Sequence, residues 1–303
     1  MPGGPTSPLV RRRRLGESLR RLRETAGLTG DQVIERVGWA SASKLSRIEN
    51  GRSRADLGDV LDLLDTYGVR GPERDELVAI TREAGNSRAW LRAYPVMTAS
   101  QRRYAELESG CVELHEHTPA VVPGLLQTPG YARVRICSVR RLWAGVTDAD
   151  VDVEVSARMA RQAVLLGRDD PPRYGTVLDE AALGDRAAPP EILLEQLAHL
   201  RALADLPHVT LRLLPRRARV ADFYVPQTAF SLYRFADPAD PESLAVEALG
   251  DDSITTDKSE VGRYRVVFSW LSAASLSPEE TAAWLDERTG GTLPPRNFRR
   301  PGE

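Results

Sequence analysis

The chain has 303 residues, 42% of them apolar, and a formal net charge of -2, which is enough for two domains and a sizeable core. No apolar run approaches the ~18 residues of a membrane span, and the Pro/Gly-rich stretch from Met1 to Val10 has no apolar core of a secretory signal, so neither a membrane protein nor a secreted one is expected. The expected compartment is the cytoplasm, at the nucleoid when DNA is bound, and two cysteines without metal-type spacing, Cys111 and Cys137, fit small core residues there.

Arg supplies all but Lys44 and Lys258 of the 41 basic residues, a bias that suits a GC-rich genome and makes the Arg total uninformative. Distribution says more. From Arg11 to Arg54 eleven Arg and Lys44 face five acids (Glu17, Glu24, Asp31, Glu35, Glu49), a net of +7 that leaves -9 for the remainder. A basic module on an acidic body is the electrostatic footprint of a DNA-binding domain.

In chain order, Arg11 to Arg14 form a basic run at the end of a flexible tail, residues 1–14. Such an arm can lie along phosphates or in a minor groove; the alternative is a solvated run that adds only solubility. Leu15, Leu19, Leu22 and Ala26 recur at helical spacing and Gly27 ends that helix. Thr29 caps a second helix bearing Val33, Ile34 and Val37, stopped by Gly38.

The next stretch, Gly38 to Gly51, reads as a DNA recognition helix with its turn. Ser41 caps it, Leu45 and Ile48 share one face, and Gly51 stops it. At about 100° per residue the opposite side carries Ser43, Ser46, Arg47 and Asn50, with Ala42 and Lys44 flanking. These small, polar or cationic side chains suit a major groove, where Arg bonds guanine bidentately and Ser bonds several bases. Taken alone, the same pattern also fits an ordinary amphipathic surface helix. Leu57, Val60, Leu61 and Leu64 make a fourth helix ending near Gly68, and Glu73 to Ala84 a fifth, so five short helices must share one core over residues 15–85.

The run Leu-Gly-Glu-Ser-Leu-Arg-Arg-Leu-Arg-Glu-Thr-Ala-Gly-Leu-Thr (15 to 29), followed by Leu-Ser-Arg-Ile-Glu-Asn-Gly (45 to 51), resembles the lambda-repressor-like, xenobiotic-response-element (XRE) family of helix-turn-helix regulators. The resemblance implies an ion pair between Arg23 and Glu49 locking helix one to helix three, and base-reading positions at Ala42, Ser43 and Arg47. With these, the DNA-contacting set expected here is Thr29, Gln32, Ser41, Ala42, Ser43, Lys44, Ser46, Arg47, Asn50, Arg52 and Arg54. Two departures are visible. Gly30 replaces the usual polar residue opening helix two, which weakens a phosphate contact, and Gly38 to Ser41 is one residue longer than the usual turn, which bears on the docking angle.

Residues 86–100 read as a linker with Trp90 and Tyr94, and residues 101–290 as a second domain. Tyr104, Leu107, Cys111 and Leu114 line one face of an expected helix. Val-Val-Pro-Gly-Leu-Leu-Gln-Thr-Pro-Gly-Tyr-Ala-Arg (121 to 133) follows, with Thr128 capping and Pro129 in the first turn of the next helix. A helix from about Asp148 to Leu166 ends before Pro171-Pro172. A strand (Tyr174 to Leu178), a helix (Glu191 to Ala204) and a strand (Val209 to Leu214) make a unit with parallel pairing. Strands Thr228 to Phe235 and Leu244 to Leu249 are joined by a Pro/Asp turn. Helix Asp257 to Ser275 carries Val261, Tyr264, Phe268 and Leu271, and Ser277-Pro278-Glu279-Glu280 is a capping box opening a last helix that stops near Gly290, before a tail of residues 291–303. The expected class is α+β overall: an all-α five-helix helix-turn-helix domain, then a larger mixed α/β domain with a small sheet.

Val-Pro-Gly-Leu-Leu-Gln-Thr with Tyr-Ala-Arg, Ala-Arg-Gln at 160 to 162, Leu-Asp-Glu-Ala-Ala-Leu at 178 to 183 and the closing Ala-Ala-Ser-Leu-Ser-Pro-Glu-Glu resemble the domain of unknown biochemistry fused to such modules in filamentous, high-GC bacteria. Arg216 to Val225 and Asp251 to Thr256 depart from that pattern. The resemblance implies a protein-interaction role, often with a small partner protein from a neighbouring gene.

Two constellations invite chemistry. His115-Glu116-His117 could place two imidazoles on one side of an extended segment for a metal, but no Cys or second His pair is close in sequence, and polar residues at a helix end are the commoner origin. Asp179 and Glu180 end a strand where acid/base groups often sit, yet adjacent strand residues face opposite ways, and N-capping by Asp179 explains them better. No phosphate-cradling Gly loop and no nucleophile elbow is present. The expectation is a sequence-specific regulator of transcription that binds double-stranded DNA, with no enzymatic activity, no cofactor, no metal and no membrane partner. Its second domain serves dimerisation, through the Tyr104/Leu107/Cys111/Leu114 face or the Val261/Tyr264/Phe268/Leu271 face with Trp270, or partner binding or sensing. A small-molecule sensor or enzyme in the second domain and an antitoxin-like regulator of a neighbouring-gene partner are the alternatives.

Overall fold

The computed structural model describes residues 5–86, 98–140, 147–248 and 252–290. Trp90, Tyr94, most of the expected linker and the tail from 291 lie outside the described residues. The first helices are α1 (Pro8–Thr25), α2 (Gly30–Val37), α3 (Ala42–Glu49), α4 (Leu57–Thr66) and α5 (Pro72–Asn86). Their apolar stripes meet in one core built on Leu19, Val33, Leu45, Ile48, Val60, Leu63 and Leu64, with Leu77 and Ile80 closing it. Helices this short are marginal in isolation, so burial of these stripes is what holds them.

By compactness the chain divides into two units. The first takes the described parts of Met1–Pro95 together with Arg102–Cys111 and Phe235–Pro241, and the second takes the rest. The first unit corrects the expectation of a flexible basic arm. Helix α1 begins at Pro8, where the Ser7 hydroxyl accepts from the Val10 amide at 3.4 Å, so Arg11 to Arg14 are helical. Arg11 is buried, with Nε 3.1 Å from Asp240 Oδ2 and Nη2 3.0 Å from Asp237 Oδ2. Arg14 Nη1 reaches the same two carboxylates at 2.9 and 3.1 Å, and Arg12 grips Glu106 through both terminal nitrogens. Guanidiniums committed in this way are not offered to phosphates.

A second correction concerns Tyr104 to Leu114. Helix α6 (Ala99–Gly110) stops at Gly110, and Cys111–Thr118 is strand β1. At Gly110 the backbone of Ser7 passes so close that a Cβ would fall 2.0 Å from its amide nitrogen. Tyr104, Leu107, Cys111 and Leu114 are all buried, so this set is interior and offers no face to a second chain.

In the second unit a 3-10 turn (Gly124–Leu126) leads to α7 (Pro129–Arg140), α8 (Asp148–Arg161) and the single turn α9 (Ala163–Leu166). Strand β2 (Arg173–Asp179), helix α10 (Pro190–Leu203) and strand β3 (Val209–Leu214) follow. Strands β4 (Phe230–Phe235), β5 (Ser243–Val246) and β6 (Ser253–Thr255) precede helices α11 (Lys258–Ala274) and α12 (Pro278–Thr289). The sheet order is β3-β2-β1-β4-β5-β6, with β1, β2 and β3 mutually parallel and β4, β5 and β6 antiparallel. The expected strand-helix-strand unit is therefore β2-α10-β3. The expected long helix breaks at Gln162, whose side chain instead donates to the carbonyls of Gln127 (2.7 Å) and Gly124 (3.3 Å). Gln196, fully buried, accepts from the Thr128 amide and donates to the Leu126 carbonyl, so the Leu-Leu-Gln-Thr loop hangs on side-chain amides from two helices.

Val261 and Leu271 of α11 are buried against Phe230, Leu232 and Leu244, and Tyr264 meets Phe230 edge-on with ring centroids 4.9 Å apart. That stripe covers the sheet, so it too is withdrawn as a dimer face. No helix among the described residues is long and apolar enough to cross a membrane.

Asp240 has only 1% of its side chain exposed and serves both Arg11 and Arg14. Stripping a buried carboxylate from its cations leaves desolvated charge, so Asp240→Ala should destabilise the protein by about 3 kcal/mol in chemical denaturation. An unchanged midpoint would show the cluster to be energetically idle.

Candidate nucleic-acid interface

Two helix starts set the geometry. The Thr29 hydroxyl accepts from the Gln32 amide at 3.3 Å and the Gln32 side chain accepts from the Thr29 amide at 2.9 Å, a reciprocal cap that fixes both side chains at the N-terminus of α2. Gly38 ends α2 in the left-handed region at φ 72°, which only glycine adopts without cost, and so turns the chain into α3. Ser41 caps α3 by accepting from the Ser43 amide at 3.1 Å.

On α3 the inward residues Leu45, Ile48 and Glu49 are buried, while Ala42, Ser43, Ser46, Arg47 and Asn50 are exposed, as is Ser41 before them. Arg47 donates to the Ser43 hydroxyl at 2.8 Å, one turn back, which lays the guanidinium along the outer face. Asn50 donates to the Ser46 carbonyl at 2.7 Å, and its own oxygen accepts from Arg20 at 2.9 Å. Lys44 is turned elsewhere: its ammonium lies 2.5 Å from Asp59 and 4.3 Å over the Trp39 ring, which takes it out of the expected reading set.

Glu49 faces the other way. Arg23 holds it bidentately, Nε to Oε1 at 2.7 Å and Nη2 to Oε2 at 3.0 Å, and the remaining Arg23 nitrogen donates to the Leu28 carbonyl at 3.1 Å. The bond to Glu49 lifts the Arg23 guanidinium above its usual range, and burial, with Glu49 adding to it, pushes the neighbouring Tyr67 phenol well up. Helices α1 and α3 also touch through backbone. A Cβ at Gly16 would fall 2.5 Å from the Ile48 carbonyl oxygen and 2.6 Å from that of Glu49, so glycine is what admits α3. The Leu-Gly-Glu run carried this signal, but its helical context hid it.

Pairing sorts the cations. Arg11, Arg12, Arg14, Arg21, Arg23 and Lys44 are spent on carboxylates. Between Arg11 and Arg54, Arg36, Arg47, Arg52 and Arg54 are exposed and form no ion pair among the described residues, and the last three lie on α3 or just after it; Arg70 and Arg82 farther along are exposed and unpaired as well. Uncompensated positive charge thus gathers around the outer face of α3.

The other sequence candidates do not converge. His115 and His117 share a face of β1, but His117 is fully buried with Nδ1 3.1 Å from the Val177 carbonyl, and Glu116 lies on the opposite face, accepting from the Tyr174 hydroxyl at 2.6 Å. Asp179 accepts from the Ala181 amide at 3.1 Å and caps the 3-10 turn Glu180–Leu183, while Glu180 accepts from the Arg216 amide at 2.9 Å.

The close approach at Gly16 generates a contrast between two glycines. Gly16→Ala should cost about 1–3 kcal/mol, because the obstacle is backbone that cannot step aside. Gly30→Ala, where a Cβ meets only Leu45 Cδ2 at 3.8 Å, should be neutral or slightly stabilising. Denaturation midpoints of the two variants check this, and equal midpoints would refute it.

A helix-turn-helix domain family matches residues 14–77, and the family described as Domain of unknown function (DUF5753) matches residues 101–287. No curated protein and no solved structure matches the chain. The second match spans more than half of the chain, so the protein belongs to the DUF5753 family and joins that domain to an XRE-like helix-turn-helix module of the kind found in DNA-binding regulators.

Proposed function

We propose that the protein is a sequence-specific DNA-binding regulator of transcription whose helix α3 enters the major groove, with no reaction assigned to the chain. The observation that carries this reading is the split of α3 into a buried side pinned by Leu45, Ile48 and the Arg23–Glu49 pair and an exposed side of Ser43, Ser46, Arg47 and Asn50. Thr29 and Gln32 at the start of α2, and Arg52 and Arg54 after α3, flank that side as phosphate contacts. Arg47, the one cation on the outer face of α3, is assigned to base reading. Arg47→Ala should relax specificity at one base pair by about 1–3 kcal/mol, read by selecting binding sites from random DNA with both proteins. An unchanged motif at unchanged affinity would sink the assignment.

One such module covers few base pairs, and its relatives in architecture pair half-sites about 34 Å apart, so the proposal includes a homodimer. The surface that supports it is the loop between β3 and β4, where Phe223 is 80% and Val225 73% exposed. Asp222 and Phe223 hold left-handed backbone there at φ 51° and 57°, a strained conformation that displays the aromatic ring. The rival occupant of this loop is a small protein partner. Sedimentation of the full chain at micromolar concentration should show a dimer that Phe223→Ser dissociates; a monomeric wild type would remove the homodimer.

A further inference from the structure

The face of the sheet that packs against α11 carries three registered rows. Glu113 lies beside Arg173, His115 beside Gly175 and Thr210, and His117 beside Val177 and Arg212. Only Gly175 in the middle row lacks a side chain, and beside it the surface sinks into a cavity of ≈ 320 Å³ lined by Glu113, His115, Arg173, Arg212, Phe268 and Ser272 among others. That volume is at the lower end of the ~300–1,000 Å³ range of small-molecule sites.

Glycine makes this hollow. Gly175 is not in the left-handed region, so its backbone does not require glycine, and a glycine inside a strand weakens it. A Cβ at 175 would instead come within 2.9 Å of His115 Cδ2. Its absence lets the imidazole lean over the strand and lie flat on Phe268, with ring centroids 4.6 Å apart and planes 9° from parallel. The stacked rings therefore take the space above Gly175 and form one wall of the cavity. Burial lowers the His115 pKa, so the ring is neutral at pH 7.

The charge around the hollow is one-sided. Glu113 is the one carboxylate lining it, and Arg173 and Arg234 both contact Glu113, with His115 Nε2 3.5 Å away. Arg212 donates to the Leu276 carbonyl at 3.2 Å, and among the described residues no carboxylate forms an ion pair with it. Arg173 and Arg212 line the cavity against Glu113 alone, and Glu113 is shared between Arg173 and Arg234, which leaves a positive surplus beside the aromatic wall.

We propose that this cavity binds a small organic anion, a planar ring bearing a carboxylate, with the ring beside the His115–Phe268 stack, on its Thr210 side, and the carboxylate on Arg212 and Arg173. An Arg fork matches a carboxylate bidentately, and a cavity of ≈ 320 Å³ with an aromatic wall accommodates a single ring. The site is independent of the DNA-binding reading.

Titration calorimetry on the full chain tests it with benzoate as the probe, benzamide as its neutral isostere, acetate as the ringless anion and phenyl phosphate as the alternative anion. Benzoate is expected to bind, with benzamide and acetate at least about tenfold weaker, a margin of one decade in Kd. Arg212→Gln keeps a donor for the Leu276 carbonyl but removes the charge, and should weaken benzoate by a similar factor. Gly175→Val pushes His115 off Phe268 and so removes the aromatic wall, and should abolish binding. Arg173→Ala, at an exposed side chain, supplies a second variant that leaves folding untouched and should also weaken it. No benzoate binding at about 10 mM, where even a millimolar Kd is near saturation, overturns the proposal. So do equal affinities for benzoate and benzamide, binding of phenyl phosphate without benzoate, or unchanged affinity in both Arg variants.

Discussion

A buried carboxylate fixes the orientation of the helix that faces outward. Helix α3 is eight residues long, too short to persist by itself, and its apolar anchors Leu45 and Ile48 are non-directional. Apolar contact would tolerate some rotation of α3 about its axis. The two-pronged bond from Arg23 to Glu49 does not, because both oxygens of one carboxylate must meet two nitrogens in one plane. Since the same guanidinium also takes the Leu28 carbonyl, α1, the turn into α2 and α3 are tied at a single point. With Glu49 held on the inside, Ser46, Arg47 and Asn50 can only face out.

Charge in the first unit is spent before it is displayed. A run of four Arg residues on a helix cannot share one face, since each is rotated by about 100° from the last. Arg11 and Arg14, three residues apart and so on one side, share Asp237 and Asp240, with Arg14 also reaching Glu76, while Arg12 turns to Glu106. The net +7 counted from Arg11 to Arg54 therefore overstates the field that DNA would meet, and what remains exposed and unpaired is concentrated near α3. Distribution along a sequence locates a basic module; only pairing in space tells which part of it is available.

Local signals were legible and distant ones were not. The caps at Thr29, Ser41 and Ser277 and the stops at Gly38 and Gly290 are decided within a few residues, and each end was read from them. The parallel pair β2 and β3 followed from alternation and the intervening helix. Strand β1 was missed because Cys111 and Leu114 continue the spacing of Tyr104 and Leu107, so a buried strand entered directly from a helix looks like more helix. The acids that hold the Arg run lie up to 229 residues away (Arg11 to Asp240), and nothing local marks them. On α3 the exposed face was legible from periodicity, whereas the diversion of Lys44 depended on Asp59 in the next helix and on the Trp39 ring.

The two glycines that matter most to the sites act through what they lack, and punctuation rules overlook them. Gly16 and Gly175 sit inside regular elements, where a glycine ordinarily counts as a defect. Each is flanked by good pattern, so the helix and the strand form regardless, and the missing Cβ is used by a neighbour. At Gly16 the neighbour is the end of α3, whose carbonyls occupy the space a methyl would take. At Gly175 it is the His115 ring, which could not otherwise lie on Phe268. The stability lost by placing glycine in a regular element is small beside the loss of either contact geometry. An interior glycine without positive φ can therefore mark a close approach, and at Gly16 and Gly175 those approaches lie at the outward-facing helix and at the cavity beside α11.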